Sequence, residues 1–407
     1  MTILSNVSPG RSFDPSVMPT VTMIGGGQLA RMTHQAAIAL GQRLRVLAEH
    51  LDDPAAQVSP EVVLGSHNDL AALRKAAVGS HALTFDHEGV PTEHLEALVA
   101  EGVNVQPPPR ALIFAQDKLA MRVKLGELGL PIPAFTPVTE VADAVRFGDE
   151  HDWRIVLKAV RGGYDGRGVW MPESADEATT IVTDQLAHGV QLLAEAKVDL
   201  KRELSAMVAR SPFGQAATWP VVETVQRNGQ CAVVIAPAPD LDDDLAAEAE
   251  GLALNLAKEL GVVGAMAVEL FETHDGTLLI NELAMRPHNS GHWGMDGART
   301  GQFEQHLRAV LDYPLGDTSP LAPVTVMANI LGAAEAPAMS MDERLHHLFA
   351  RMPDAKVHMY GKGERPDRKI GHINLLGDDV AVVREKAERA AQWMSRAVWT
   401  DGWDPHE

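Results

Sequence analysis

The chain has 407 residues, 45% of them apolar and 22% charged, enough for two or three domains with sizeable cores, and global disorder is excluded. With 35 basic against 55 acidic residues the net charge is −20, which excludes a protein that coats nucleic acid but not one that gathers cations around a small phosphorylated substrate. One cysteine, Cys231, can form neither an internal disulfide nor a cysteine zinc cluster, which suits a reducing cytoplasm.

The first nineteen residues lack a signal-peptide pattern and, with Pro9, Gly10, Pro15 and Pro19, are read as a loose tail. Ordered structure is expected from residue 20. A strand over Thr20–Ile24, a helix over Gln28–Leu40 closed by Gly41 and a strand over Arg43–Ala48 make a parallel strand–helix–strand unit. Strands at Val62–Leu64, Ala82–Phe85 and Val103–Val105 and helices over Asn68–Val78 and Glu93–Ala100 continue the alternation, predicting a doubly wound, Rossmann-like α/β domain. Pro107, Pro108 and Pro109 mark its boundary, because three prolines continue neither a helix nor a central strand. One helix is predicted over Ala111–Leu128. Residues 132–198 then read as strands at Ile155–Ala159 and Val190–Ala194, a glycine loop and one helix over Ala175–His188. Residues 203–283 carry longer strands and a helix over Leu245–Leu260, with the acidic run Asp240–Asp244 at its start. From about 322 the chain is strand-rich, with His346 and His347 on a helix face and a final helix over Val382–Val398. Cys231, beside Ala-Val-Val-Ile, reads as buried. The richest apolar stretch, 321–339, is broken by Pro323, Asn329, Gly332, Glu335 and Pro337, so no membrane span is expected.

Five stretches carry chemistry. Gly25-Gly26-Gly27-Gln28-Leu29-Ala30 lies between a strand and a helix, with Glu49 downstream, the setting of a dinucleotide fingerprint. It also fits a plain tight turn or another phosphate-bearing ligand. The run from Arg161 to Gly168 holds four glycines, with Lys158 on the preceding strand; accessible amides and cations suit a triphosphate, and the absence of Gly-Lys-Ser/Thr excludes a Walker loop. A two-residue Asp275-Gly276 turn would set Glu269 directly opposite Glu282. Facing carboxylates repel, and a bound divalent cation such as Mg²⁺ is the natural compensation. Arg286-Pro-His-Asn-Ser-Gly-His292 follows at once; its Pro, Asn and Gly rule out a helix, so His288 and His292 are not read as a zinc pair. Lys362, Arg365, Arg368 and Lys369 fit either a solvated loop or a pocket for a phosphate monoester.

Together these motifs resemble the ATP-grasp ligases. Gly25–Met32, Gly162–Gly168, Asn281–His292 and Tyr360–His372 are similar to those of the N5-carboxyaminoimidazole ribonucleotide synthetase family, a resemblance running from about residue 20 to 400. It implies a mixed α/β and α+β architecture: a tail (1–19), an N-terminal doubly wound domain (20–118), a lid (119–200), a central ATP-grasp domain (201–320) and a small strand-rich C-terminal region (321–407). It implies ATP and Mg²⁺, with Mn²⁺ as an alternative, and no biotin. Lys118 and Lys158 would contact the ATP phosphates, with Gly163, Gly166 and Gly168 in the loop over them. Glu195, Ala196, Lys197 and Val198 would hold the adenine edge, Glu203 the ribose, with Gln226 and Asn281 nearby. Glu269 and Glu282 would carry the metal. Tyr164, Asp165 and Arg167 would close over bicarbonate, with Arg286, His288 and Asn289 at the reacting centre. Gly27, Gln28, Leu29 and Glu88 would bind 5-aminoimidazole ribonucleotide, and Arg286, Lys362, Arg365, Arg368 and Lys369 its phosphate.

This sequence departs from the family pattern in having Lys118 where Arg is usual and Gln226 where His is usual. The resemblance also implies a cytoplasmic homodimer acting on small molecules, with no nucleic acid or membrane partner. The alternatives are a formate-dependent glycinamide ribonucleotide transformylase, a nicotinamide-dependent oxidoreductase using the first glycine motif, and a non-catalytic ATP-binding regulator.

Overall fold

A computed structural model describes residues 18–163 and 167–403. Strands β1 (Thr20–Ile24), β2 (Arg43–Ala48), β3 (Glu61–Leu64) and β4 (Ala82–Phe85) form a parallel sheet in the order β3-β2-β1-β4, joined by helices α1 (Gln28–Ala39) and α2 (Leu70–Ala77) and followed by α3 (Thr92–Ala100). Three of these strands begin and end where the sequence places them. The strand expected at 103–105 is reduced to a single bridge between Val105 and Leu83, because the chain turns into the prolines there.

The single helix expected at 111–128 is two helices, α4 (Pro109–Gln116) and α5 (Lys118–Glu127). Asp117 separates them: its backbone is extended and its side chain accepts from Ala120 N, so it caps α5. The break puts Lys118 at the first turn of a new helix, where it faces the site.

The lid sheet is antiparallel, in the order β5 (Phe135–Val138), β8 (Leu192–Ala196), β6 (Ile155–Ala159), β7 (Val169–Trp170). Its second strand lies two residues beyond the expected 190–194. Helix α7 (Ala175–Ala187) matches expectation, whereas α6 (Val141–Glu150) was not anticipated. Its signal is a reciprocal cap between Glu140 and Asp143 ahead of an amphipathic run.

The remaining strands share one nine-stranded sheet: β14 (Leu278–Ala284), β13 (Gly264–Thr273), β9 (Leu200–Arg210), β11 (Val222–Arg227), β12 (Gln230–Ala236), β15 (Val324–Leu331), β17 (Lys369–Gly377), β16 (Lys356–Met359), with β10 (Ala216–Thr218) beside β9. The strand-rich end of the chain is thus the continuation of the central sheet through the β12–β15 pair and has no sheet of its own. Around the sheet lie α8 (Asp243–Glu259), α9 (Gly294–Gly297), α10 (Gln302–Val310), α11 (Met341–Arg351) and α12 (Val380–Arg396). Asp242 caps α8, the place expected for the acidic run. His346 and His347 lie on α11. Cys231 is half-buried rather than buried, because it stands at the start of β12.

One core joins α2, α3, α4, α5 and α8 to the central strands; a second lies under α1 and α10 and reaches Tyr360; the lid has its own small core. Shared packing therefore fixes the N-terminal sheet against the central sheet. No helix among the described residues is long and apolar enough to cross a membrane.

Candidate functional site

Glu269 on β13 and Glu282 on β14 are direct cross-strand partners. They arrive there by a different turn from the one expected. Gly276 N donates to Thr273 O at 3.1 Å and Thr273 N to Thr277 O at 3.0 Å, so the loop is His274-Asp275-Gly276, with Gly276 left-handed at φ +81°. That shifts the register by one. A bulge between Glu269 and Leu270 on one strand and Ile280 and Glu282 on the other restores it, leaving Asn281 as the extra residue. Asn281 Oδ1 then accepts from Lys158 Nζ at 3.2 Å.

Cations converge on these carboxylates. Lys118 Nζ pairs with Glu282, and His288 Nε2 lies 3.2 Å from Glu269 Oε1. Burial would raise the Glu269 carboxyl, but His288, Lys118 and Lys369 together hold it below the usual range. Glu203 on β9 behaves oppositely: burial and then the Glu269 charge push it up to about 7, although Gln226 donates to it. The donor set is all oxygen, which fits a hard divalent cation held jointly with substrate phosphates. Among the described residues no group of three or more His, Cys, Asp or Glu side chains is gathered as a metal site.

The loop after β14 is rigid for reasons the sequence hides. The side-chain amide of Gln302 brackets His288, accepting from its N at 2.7 Å and donating to its O at 2.8 Å. Ser290 Oγ sits 2.9 Å from His288 Nδ1 and 2.8 Å from Ser205 Oγ. Asn289 and Asn329 exchange amide hydrogen bonds at 3.0 and 2.9 Å. His292 points elsewhere, to Gln302, and burial holds it neutral. His288 and His292 therefore share no ligand position.

In the lid, the Glu195 carboxylate is not at an open edge. It is buried and paired with Arg122 at 2.7 Å and Lys158 at 2.8 Å, so this carboxylate is not presented to an adenine. Val198 follows Lys197, whose N donates to Arg154 O at 2.8 Å, and Ala196 N donates to Ala134 O. Gly163 and Gly168 close the neck of the glycine loop: a Cβ on Gly163 would lie 2.8 Å from Arg167 O, and Gly168 has φ +72°. Arg167 is exposed. Tyr164, Asp165 and Gly166 lie outside the described residues.

The first glycine motif meets a carboxylate of the protein itself. Asp86 accepts from Gly27 N at 2.5 Å and from Ala30 N at 3.0 Å, capping α1. A Cβ on Gly27 would stand 2.1 Å from that carboxylate, and one on Gly26 within 2.9 Å of Ala48 and Asp53. The glycines are accounted for by this close approach, and the anion position at the helix start is already filled. A dinucleotide pyrophosphate is not accommodated there. Next to it Lys362 donates to Gln28, and Gln57 Nε2 donates to Gly361 O at 2.8 Å, tying the basic segment to the N-terminal domain. Leu29 is buried in the core beneath. Arg286 pairs with Glu88 at 2.8 Å and feels Asp86 and Glu269 as well, which keeps it charged against its burial. Arg368 donates to Gly363 O at 3.2 Å, Lys369 is half-buried near Glu269, and Arg365 is exposed on the loop. The structure thus gathers Lys118, Lys158, Asn281, Glu203, Glu269, Glu282 and His288, with Gln28, Glu88, Arg286 and Lys362 alongside. It leaves Arg365 and Arg167 outward. Sequence reasoning missed Arg122, Asp86 and Gln302; only Arg122, one helical turn after Lys118, carried a signal.

A lid and a central sheet that bring cations over paired carboxylates form an ATP-grasp fold. Family models match the chain in succession: a ribonucleotide synthetase preATP-grasp domain over residues 18–116, an ATP-grasp domain over 123–303 and a phosphoribosylaminoimidazole carboxylase C-terminal domain over 325–386. The N5-carboxyaminoimidazole ribonucleotide synthase of Mycobacterium tuberculosis is 67% identical over 390 residues, covering 96% of this chain and 91% of that one. The solved ADP complex of an N5-carboxyaminoimidazole ribonucleotide synthetase superposes with a TM-score of 0.84 at 34% identity, covering 94% and 99%. The Aspergillus clavatus enzyme solved with ADP and 5-aminoimidazole ribonucleotide gives a TM-score of 0.83 at 28% identity, covering 93% and 99%. The chain belongs to the N5-carboxyaminoimidazole ribonucleotide synthase family.

Proposed function

We propose that this chain carboxylates the exocyclic amine of 5-aminoimidazole ribonucleotide, using ATP and bicarbonate. A bicarbonate oxygen attacks the γ-phosphorus, the bond to the β-phosphate oxygen breaks, and ADP and carboxyphosphate result. The amine nitrogen then bonds the carboxyl carbon, either as the carbon–oxygen bond to phosphate breaks or after that bond has broken to give CO₂, and the amine proton passes to the departing phosphate. Lys118 and Lys158 neutralise the phosphates, and Asn281 orients Lys158. Glu269 and Glu282, with substrate phosphates, would hold Mg²⁺ or Mn²⁺, which supplies charge neutralisation to the transferring group. His288 and Asn289 face the reacting centre from a loop that Gln302, Ser290 and Asn329 hold rigid. To Tyr164, Asp165 and Arg167 we assign the task of shielding the labile carboxyphosphate from water. Gln28, Glu88, Arg286 and Lys362 take the ribonucleotide, its phosphate meeting Arg286 and the basic segment with Arg365, Arg368 and Lys369. The same reading makes the enzyme a cytoplasmic homodimer; sedimentation of the purified protein tests the dimer.

The observation that carries this reading is Arg286. It pairs with Glu88 and lies within the field of Glu269, which supports a reading in which the ribonucleotide and the nucleotide meet on either side of one side chain. ADP release is measured with ATP, Mg²⁺ and bicarbonate, with and without 5-aminoimidazole ribonucleotide. Strong dependence on the ribonucleotide is expected. Dependence on glycinamide ribonucleotide with formate instead, or on neither, overturns the reading.

A further inference from the structure

We infer that Arg122 is a positioning residue for ATP: it shares Glu195 with Lys158 and so leaves the Lys158 ammonium charge available to the phosphates. The inference rests on the reading of Lys158 as a phosphate ligand. Arg122 lies on α5, one turn after Lys118, and its side chain is fully buried. Its guanidinium donates Nε to Glu195 Oε1 at 2.7 Å and Nη2 to Glu195 Oε2 at 3.2 Å, a fork from helix to lid. It also donates Nη1 to Ile280 O at 3.1 Å and Nη2 to Asn281 O at 2.7 Å, a clamp on the bulged strand of the central sheet. Glu195 Oε2 is 2.8 Å from Lys158 Nζ, and Lys158 Nζ reaches Asn281 Oδ1. Arg122, Glu195, Lys158 and Asn281 therefore close a ring that spans the lid and the central sheet.

The charges in that ring decide its function. Two cations share one buried carboxylate, so the ring keeps one positive charge beyond what Glu195 cancels. Burial would raise the Glu195 carboxyl, but Lys158 and Arg122 together hold it below the usual range, and it stays ionised. Without Arg122, Glu195 would have Lys158 as its single counter-ion in a low-dielectric interior, and the ammonium would be held there rather than offered to a phosphate. A lysine at 122 would keep the charge but could not make the fork and both carbonyl bonds at once. The same guanidinium fixes the backbone at Asn281, next to Glu282, so lid and carboxylate strand are set by one side chain.

The test is a steady-state series on the full-length protein with Arg122→Met, Arg122→Lys, Glu195→Gln and the Arg122→Met/Glu195→Gln double variant, together with calorimetric ADP binding. Arg122→Met is expected to raise the KM for ATP and weaken ADP at least about tenfold, and to move the KM for the ribonucleotide less than about threefold. The double variant is expected to recover ATP affinity relative to Arg122→Met, because a neutral amide in place of the Glu195 carboxylate no longer retains Lys158. Arg122→Lys is expected to raise the KM for ATP less than Arg122→Met but more than that for the ribonucleotide, and it serves alone if the Met variant does not fold. Equal changes in both KM values, or a double variant no better than Arg122→Met where that variant folds, overturn the inference and leave Arg122 a purely structural residue. A parent protein that neither binds ADP nor turns over ATP overturns the underlying reading instead.

Discussion

Neutralising Glu282 should separate catalysis from stability. Direct cross-strand partners stand about 5 Å apart, and at an effective dielectric of about 20 two bare charges there repel by about 3 kcal/mol. The two side chains are 31% and 40% exposed to screening water and Lys118 pairs with Glu282, so the net repulsion is about 1 kcal/mol. Glu282→Gln relieves that repulsion and at the same time removes the ionic partner of Lys118, a loss of similar size. The melting temperature should therefore move by no more than about 4 °C. Catalysis has no such cancellation. Losing one of two anionic ligands beside the transferring phosphoryl group should cost about 3 to 4 kcal/mol, a 10²- to 10³-fold fall in turnover. ADP release at fixed ATP, bicarbonate and ribonucleotide measures the fall, and a Mg²⁺ titration should show half-saturation displaced upward. Turnover within threefold of the parent at the same Mg²⁺ would refute the assignment of this pair to the metal.

His306 gives a pH prediction away from the carboxylates. It is fully buried, accepts Ala265 N at its Nδ1 at 3.0 Å and meets Thr84 Oγ1 through Nε2 at 2.8 Å, and burial lowers its pKa from 6.5 to about 4. The unfolded chain binds the extra proton more readily, so stability is full above pH 6.5 and is lost as pH falls toward 4, by about 3 kcal/mol in all. Thermal midpoints across that window should fall in the parent and fall less in His306→Gln; identical slopes would contradict the account. Gly332→Ala tests how the basic segment is held. A Cβ there would lie 2.1 Å from Arg365 O, so the 363–368 loop must shift. The KM for the ribonucleotide should rise about fivefold or more while that for ATP stays within about twofold. A shift in the ATP value of the same size would place the loop at the other substrate.

Strong local patterns were legible in the sequence because they need no partner to be recognised. The strands at 20–24, 43–48, 82–85 and 155–159 fall where alternation and glycine punctuation put them. The facing of Glu269 and Glu282 was also legible, although through a compensating pair of shifts: a longer loop, then a bulge at Asn281. The split of α4 from α5 was not, because Asp117 reads equally well as a helix residue until Lys118 N is seen donating to Val160 O at 2.9 Å. Nor was the joining of the C-terminal strands to the central sheet, since strand order depends on pairings far apart in the chain.

The division between sequence and tertiary structure follows from the range of the interactions. Glycine spacing, turn residues and runs of charge act over a few residues, so the sequence alone determined the strongly punctuated strands and helices and the charged and glycine-rich motifs that the site draws on, but not α6, the break at Asp117 or the roles of Arg122, Asp86 and Gln302. Tertiary packing decided what those groups are free to do. Asp86, 56 residues from Ala30, fills the helix terminus that the glycine motif offers to an anion. Arg122, 73 residues from Glu195, shares that buried carboxylate with Lys158. A buried charge is costly unless paired, and the pairing partner is chosen by the folded chain, not by its neighbours in sequence.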